Sequence, residues 1–264
     1  VFAAVTLPLS AALVAVWLLS PSWWQQWLPP LAEHLPGLRR TSPLGAGLLT
    51  AMALLHLVGL VDDRRALGPF VKLTVQLVVA AALVVLCDLR VLDLLDGFGG
   101  WGRASSIILS VAWIVAIVNA FNFLDNMDGL VAAVAATIAA LYLAAALIGG
   151  QWFVAALAAL LLGAMIGFGV FNLPPARLFL GDGGSLVVGL LLAVVSVRTT
   201  YFKGALVDPD YPGHWYGVLM PLMVMAIPLY DLVSVTVIRL VRGRSPFRGD
   251  HNHFSHRLVR KGLS

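Results

Sequence analysis

The stretch Asn119-Ala-Phe-Asn-Phe-Leu-Asp-Asn-Met-Asp-Gly-Leu130 places amides and two carboxylates between the apolar runs 105–118 and 131–148. Carboxylates at the mouth of a membrane segment are costly, so we expect a metal, a cation or a ligand beside them. Asn119, Asn122, Asp125 and Asp128 recur every three residues, and a helix continuing through them would place neighbours on roughly one face. That face is expected to hold a nucleotide, a metal or both.

The composition indicates a protein whose medium is the lipid bilayer. Hydrophobic residues make up 60 % of the 264 residues and charged residues 11 %, and the mean hydropathy is +0.93, values that exclude a soluble globule. A spanning helix needs about 20 mostly apolar residues. Eight segments qualify: 2–19, 44–61, 70–87, 105–123, 129–148, 152–171, 184–197 and 215–240. The sequence therefore predicts an all-α, polytopic transmembrane helical bundle of about eight spans.

Domain organisation and orientation follow from the same pattern. We expect one integral-membrane unit over residues 1–264, in which 241–264 is a cytoplasmic segment rich in basic residues and histidines. If the loop at 62–69 is cytoplasmic, eleven Lys and Arg lie on that side and six on the other, as the positive-inside rule requires. A single cysteine, Cys87, excludes an intramolecular disulfide framework and a thiolate metal site.

Four polar motifs fall on the predicted cytoplasmic side. Taken singly, each has an ordinary explanation as a helix cap, a turn or a lipid-anchoring tail. Their segregation on one side favours a common site instead. Carboxylates without thiolates suit a hard cation such as Mg²⁺, and nearby arginines and histidines can bind phosphate oxygens. The motifs are 59–65, the opening stretch, 172–185 and 239–261.

An ion-coupled transporter is the alternative of another class. In that hypothesis Asp125, Asp128 and Asp231, which lies inside the last predicted span, would bind ions along a pathway. Transport predicts acids near the midplane and often an internal repeat, whereas here the acids cluster at one face and no repeat is visible. Taken by itself, Asp231 is expected to be a buried carboxylate that pairs with a group at a helix end. A lipid-binding scaffold would leave the acidic motifs unexplained.

The motifs resemble those of the polyprenyl-phosphate N-acetylhexosamine-1-phosphate transferases, from about the first span to the C-terminus. The resemblance favours the undecaprenyl-phosphate GlcNAc-1-phosphate type, with phospho-MurNAc-pentapeptide transferase as the alternative. The resemblance rests on four motifs: Gly-Leu-Val-Asp-Asp at 59–63 with Leu67-Gly68-Pro69 and Lys72-Leu73, the stretch 119–130, Phe-Leu-Gly-Asp-Gly-Gly-Ser at 179–185, and Asp-His-Asn-His-Phe-Ser-His-Arg-Leu at 250–258.

The resemblance implies transfer of a sugar 1-phosphate from a UDP-N-acetylhexosamine to undecaprenyl phosphate, with release of UMP. Mg²⁺ is the expected cofactor and Mn²⁺ the alternative. It implies Asp182 as a metal ligand with Asn122 as a second, Asp62 as the base that activates the lipid phosphate, and Asp63 orienting the site. Direct attack and a covalent phospho-aspartate are both open routes.

Substrate-binding roles are implied for further residues. The resemblance assigns Lys72 to the lipid phosphate, and Asp125 and Asp128 to the uridine nucleotide as members of the catalytic set. Asn119 joins Asn122 in binding substrate. In the tail, catalytic His253 with His256, Arg248 and Arg257 would bind the sugar and the diphosphate, although Ser255 replaces a histidine that the family usually carries there.

The resemblance also implies a setting. We expect a multi-pass protein of the bacterial cytoplasmic membrane with its active site on the cytoplasmic face, and a chain that is the core of a longer protein of roughly ten or eleven spans. Membrane lipid is an expected partner and nucleic acid is not. A homodimer is compatible with the family.

Overall fold

The structure, a computed structural model, describes residues 1–199, 215–243 and 245, and all regular structure in these residues is helical. The prediction of an all-α membrane bundle is confirmed. A short 3₁₀ helix, Asp93–Phe98, precedes α6. The helices are α1 (Phe2–Leu18), α2 (Pro21–Trp27), α3 (Pro29–Ala32), α4 (Leu35–Arg64), α5 (Pro69–Leu86), α6 (Gly99–Leu124), α7 (Leu130–Ile148), α8 (Trp152–Asn172), α9 (Gly181–Thr199), α10 (Trp215–Val224) and α11 (Ala226–Val241).

Six helices of the described chain, α4 to α9, are long and apolar enough to cross a membrane. Helix α1 bends by 117° into α2, and the pair brings the count to seven if it forms one span. The eighth predicted segment is broken at Met225 into helices of 10 and 16 residues. Pro228, in the first turn of α11, lacks the N–H that a continuous helix would need there. The described residues thus contain fewer spans than the eight expected.

Helix α9 is the centre of the bundle, because every residue from Gly183 to Val197 is buried. A helix that is hydrophobic all round belongs inside a bundle, and α4, α6, α7 and α8 surround this one. Small residues allow the close approach: a Cβ on Gly189 would lie 2.7 Å from the Cα of Val118 in α6. The position of α9 therefore fixes where its first turn meets its neighbours.

One end of the bundle collects the polar motifs of the described chain. Helix α4 ends at Arg64, α5 begins at Pro69, α6 ends at Leu124 and α9 begins at Gly181, and these four termini meet there. We call this end the site end. The opposite end carries α2, α3 and the 3₁₀ helix.

The helix containing Asn119 and Asn122 does not continue through the whole opening stretch. It ends at Leu124, Asp125 is its C-cap, and Gly129 takes a left-handed conformation (φ +75°) before α7 begins. The expectation of one continuous face therefore holds for the two amides and fails beyond Leu124. Asp125 and Asp128 lie in the turn, where their side chains diverge.

Candidate active site

Lys72 lies at the centre of the site end, between two carboxylates from other helices. Its Nζ is 2.8 Å from Oδ2 of Asp62 in α4 and 2.6 Å from Oδ2 of Asp182 in α9. The side chains are largely shielded, with 22 %, 14 % and 24 % exposure for Lys72, Asp62 and Asp182. The backbone N–H of Leu67 donates to the other oxygen of Asp62 at 2.8 Å. Three helices are thus joined through one ammonium group.

Asp63 holds the N-terminus of α9 from the end of α4. Its two carboxylate oxygens accept hydrogen bonds from the backbone N–H groups of Asp182, at 2.8 Å, and Gly183, at 3.2 Å. These N–H groups have no partner within their own helix, so a carboxylate satisfies them and also meets the positive end of the helix dipole. Gly181, with φ +65°, leaves room, since a Cβ there would lie 2.8 Å from Oδ2 of Asp63. Asp63 therefore positions Asp182.

Asn122 contacts Asp182 from α6. Its Nδ2 donates to Oδ1 of Asp182 at 2.8 Å and to the hydroxyl of Ser185 at 3.0 Å. Asn119 lies one turn deeper, where its amide donates to the side chain of Gln76 and to a carbonyl of its own helix. Asn122 is thus beside the carboxylate cluster, while Asn119 packs behind it.

Asp125 adds a further carboxylate to this cluster. Burial, and then the charges of Asp182 and Asp63, raise its pKa to about 6, while a hydrogen bond from the backbone N–H of Gly181 acts in the opposite direction. Within the described residues, Lys72 is the cation that forms salt bridges with this group of acids. Four neighbouring carboxylates, two of which contact this ammonium group, carry an excess of negative charge, which favours a second cation.

Asp128 lies apart from Lys72. It is exposed, and its Oδ2 accepts a hydrogen bond at 3.0 Å from the backbone N–H of Ala176, in the loop between α8 and α9. Asn172 bridges the same turn and loop, accepting from Gly129 N–H and donating to the carbonyl of Leu178. Asp128 therefore lines the rim of the site next to this loop.

The tail residues Arg248, His253, His256 and Arg257 lie outside the described residues. Asp231, expected to be a buried carboxylate, is 1 % exposed in α11 and shares its buried face with Arg239. The guanidinium of Arg239 lies 5.2 Å from the ring centre of Phe123, the neighbour of Asn122. Helix α11 therefore brings a buried cation to the helix end that carries the site.

Three site-end residues were not singled out from the sequence. Nδ1 of His56 is 2.8 Å from the carbonyl of Gly183, and its ring stacks on Phe2 at 4.0 Å. Ser185 receives the Asn122 amide, and Gln76 receives that of Asn119. A lone histidine inside an apolar span is a signal that could have identified His56, because ionisable residues are rare there. Gln76, four residues after Lys72, shares its helix face.

The donor set fits a divalent hard cation. No group of three or more His, Cys, Asp and Glu with metal-site geometry occurs in the part of the chain that the structure describes. Mg²⁺ does not need one, since it is usually held by one or two carboxylates, water and substrate phosphates. Asp62 and Asp182 are close enough to share the Lys72 ammonium, and the Asn122 amide oxygen is a third oxygen donor. These are the residues that could hold the ion.

Comparison with known proteins identifies a family model and named relatives. Residues 46–200 match the model of glycosyl transferase family 4. Decaprenyl-phosphate N-acetylglucosaminephosphotransferase of Mycobacterium tuberculosis is 34 % identical over 255 residues, covering 89 % of this chain and 62 % of the relative. The protein of the same name from Mycobacterium leprae is 35 % identical over 252 residues, covering 89 % and 63 %.

A more distant relative is undecaprenyl-phosphate alpha-N-acetylglucosaminyl 1-phosphate transferase of Escherichia coli K12, 28 % identical over 224 residues. That match covers 82 % of this chain and 58 % of the relative. The chain thus spans less than two thirds of the length of each of these relatives.

Proposed function

Because this chain belongs to glycosyl transferase family 4, we propose that the protein transfers an N-acetylhexosamine 1-phosphate from a UDP-sugar to a polyprenyl phosphate and releases UMP. GlcNAc is the favoured sugar, since the names of the relatives specify it. The lipid is of the decaprenyl or undecaprenyl type. The observation that carries the proposal is the shared contact of Lys72 with Asp62 and Asp182 at one end of a multi-pass bundle.

Charge is the main obstacle to this reaction, because both substrates are anionic. Attack on the sugar-linked phosphorus requires cationic groups that offset their repulsion. We assign Lys72 to the lipid phosphate. An ammonium group has three N–H donors, and because two of them already contact carboxylates, the third is left for a phosphate oxygen. Mg²⁺, held by Asp182 with Asn122 and Asp62, would supply further charge neutralisation at the diphosphate.

The transfer itself exchanges one phosphorus–oxygen bond for another. An oxygen of the lipid phosphate bonds to the sugar-linked phosphorus, and the bond from that phosphorus to the bridging oxygen breaks, so the oxygen leaves with UMP. A phosphate monoester has a second pKa near 6, so most of the lipid phosphate is already ionised at neutral pH. We assign Asp62 to accept the proton from the remainder.

Direct attack by the lipid phosphate is the route that the hydrogen bonds favour. Both oxygens of Asp62 are engaged, by Leu67 N–H and by Lys72, and both oxygens of Asp63 by the first N–H groups of α9. A bond from either carboxylate to phosphorus would require one of these oxygens to give up its present contact. We therefore favour one step over a covalent phospho-aspartate.

Nucleotide binding is assigned to the turn after α6. Asp125 lies beside Gly181 and the Asp182 carboxylate, and Asp128 lies at the rim next to the loop at Ala176. We assign to Asp125 the binding of the nucleotide, and to Asp128 the positioning of the loop that borders the nucleotide. We further assign binding of the sugar and the diphosphate to the tail residues His253, His256, Arg248 and Arg257.

We place the site on the cytoplasmic face, where UDP-sugars are found and where the excess of Lys and Arg falls. In this proposal residues 1–264 form one membrane unit, in which 241–264 is a cytoplasmic segment. The rival transporter hypothesis requires acids along a path through the bilayer, whereas Asp62, Asp63, Asp125 and Asp182 lie together at one end.

The experiment measures UMP release from UDP-GlcNAc by the full-length protein with decaprenyl or undecaprenyl phosphate, with and without Mg²⁺. Asp182→Ala is expected to abolish a metal-dependent activity, and Asp93→Ala, an exposed acid at the opposite end, is the matched control. No release from UDP-GlcNAc, other UDP-amino sugars or UDP-MurNAc-pentapeptide would overturn the proposal.

A further inference from the structure

Two adjoining cavities lie at the end of the bundle opposite the site. One, of about 430 Å³, is an apolar chamber between α1, α2, α7 and α8, lined by Leu13, Trp24, Leu143 and Leu160 among others. The second, of about 350 Å³, is a more polar mouth lined by Thr41, Gln151 and Arg198 among others. His34, Leu38, Trp152 and Phe153 line both, so the two cavities adjoin, and we consider the pair together as one amphipathic space. Each has the size of a small-molecule pocket, roughly 300 to 1,000 Å³.

The mouth contains a cation without a bound partner among the described residues. Arg198, in the last turn of α9, is half-buried and makes no hydrogen bond or ion pair there. Asp88 is near enough to act on it electrostatically, but that carboxylate accepts a hydrogen bond from Arg90 at 2.8 Å. A shielded guanidinium that the described residues leave unpaired carries a desolvation cost that an anionic ligand would offset.

Aromatic groups mark the depth of this space in the membrane. Helix α2 turns by 117° away from α1 and exposes Trp23 and Trp27, and indoles favour the headgroup level. The rings of His34 and Trp152, 5.0 Å apart, stand where mouth and chamber join. The indole N–H of Trp24, which also lines the chamber, is buried without a hydrogen-bond partner among the described residues. Gln151, in the turn between α7 and α8, borders the mouth, whereas Leu143 and Leu160, one to two turns inside these helices, border the chamber. The mouth therefore lies nearer the headgroups and the chamber nearer the acyl chains.

We propose that this space binds one anionic phospholipid, with an acyl chain in the chamber and the phosphate at Arg198. A free anion would use the mouth but gain nothing from the chamber, and a neutral lipid would fill the chamber and leave the guanidinium unpaired. The site is distinct from the Lys72 cluster and does not depend on the reaction proposed for it.

The test is native mass spectrometry of the delipidated full-length protein titrated with phosphatidylglycerol or with diacylglycerol of the same chains, which lacks the phosphate. Phosphatidylglycerol is expected to bind more tightly. Arg198→Gln removes a charge-assisted bond and should weaken phosphatidylglycerol about tenfold while leaving diacylglycerol unchanged. Arg198→Lys should restore part of the preference. Arg103→Gln, an exposed arginine at the same end, is the control and should have no effect.

A second variant tests the chamber without changing charge. Ala156, on the wall of the chamber, is exposed to the cavity, and Ala156→Trp should weaken the binding of both lipids.

Equal binding by wild type and both variants would overturn the proposal in favour of non-specific annular lipid. Competition by inorganic phosphate that Ala156→Trp does not alter would indicate a free-anion site. A dimer that forms through this face in the wild type and not in Ala156→Trp would identify a second copy as the occupant, and would likewise contradict the proposal.

Discussion

Two basic residues in this molecule each bind two carboxylates, at opposite ends of the bundle, and the surroundings of the two clusters differ. The Lys72 cluster consists of Lys72, Asp62 and Asp182, and the Arg90 cluster of Arg90, Asp88 and Asp96. In the Arg90 cluster the guanidinium donates to both oxygens of Asp96, at 2.7 and 2.9 Å, and its Nε donates to Asp88 at 2.8 Å. Its acids are 72 % and 41 % exposed, so water completes their solvation.

The acids of the Lys72 cluster are more shielded from water, and further acids lie beside them. Its acids are 14 % and 24 % exposed, and Asp63 and Asp125 add two more carboxylates within the same group. A cluster whose acids reach water can serve as a structural contact alone, whereas a cluster in which excess negative charge is kept away from water is a candidate binding site.

The largest expected effect is on catalysis. Lys72→Met removes the cation that we assign to the lipid phosphate, and it should lower UMP release about 100-fold or more, as the loss of one preorganised donor does elsewhere. Arg90→Met is the matched change in the other cluster and should alter the rate by no more than about twofold, because Arg90 lies at the end of the bundle opposite the site. Equal losses in the two variants would abolish the contrast.

Removing a charge from the site end should stabilise the metal-free protein. The pKa of Asp125 is raised from 3.8 to about 6, so the folded state binds this proton more tightly than the unfolded state, and stability falls as the pH rises through that interval. Asp125→Asn should therefore gain about 1 to 3 kcal/mol near neutral pH. Thermal unfolding in EDTA should show a gain that shrinks as the pH is lowered toward 4. A pH-independent gain would assign the effect to packing instead.

Loss of the cap on α9 should cost less. Asp63→Ala leaves the N–H groups of Asp182 and Gly183 without their acceptor and is expected to destabilise the protein by about 1 kcal/mol. Because Asp63 positions Asp182, the same variant should raise the Mg²⁺ concentration needed for half-maximal activity, and Asp63→Asn should recover part of both losses. Asp88→Ala is the control. An unchanged Mg²⁺ requirement would mean that the cap serves stability alone.

The smallest effect is expected at the Arg90 cluster itself. Asp96→Asn keeps the size of the side chain and removes one charge from a solvated pair, so the melting temperature should barely move and its small shift should vanish in high salt. A large, salt-independent loss of stability would show that this cluster is not the solvated clip that its exposure indicates.

The composition of the site was predictable because polar groups are rare in an apolar sequence. Each of Asp62, Lys72, Asn122, Asp125 and Asp182 interrupts or borders a hydrophobic run, and the structure brings them together. What the pattern could not specify is the partner of each group. Periodicity states which face of a helix a residue occupies, but it does not state which helix lies opposite.

Two features that the sequence did not predict have that cause. The bond from Asp182 N–H to Asp63 joins residues 119 positions apart, and the close approach of Gly59 to the backbone of Gly183 depends on how α4 and α9 cross. The broken last segment at Met225 is local, yet hydropathy averages over it and predicts one long span. The turn at Asp125 likewise ends a helix that three-residue spacing would continue.

The central claim is that the carboxylates around Lys72 form a cation-dependent substrate site, whereas those around Arg90 do not. The most direct measurement is a titration of the full-length protein with Mn²⁺, followed by electron paramagnetic resonance, in the presence of UMP. Asp182→Asn should weaken Mn²⁺ binding about tenfold, as loss of one charged ligand does, and Asp96→Asn should leave it unchanged. Identical titrations for wild type and Asp182→Asn would contradict the account.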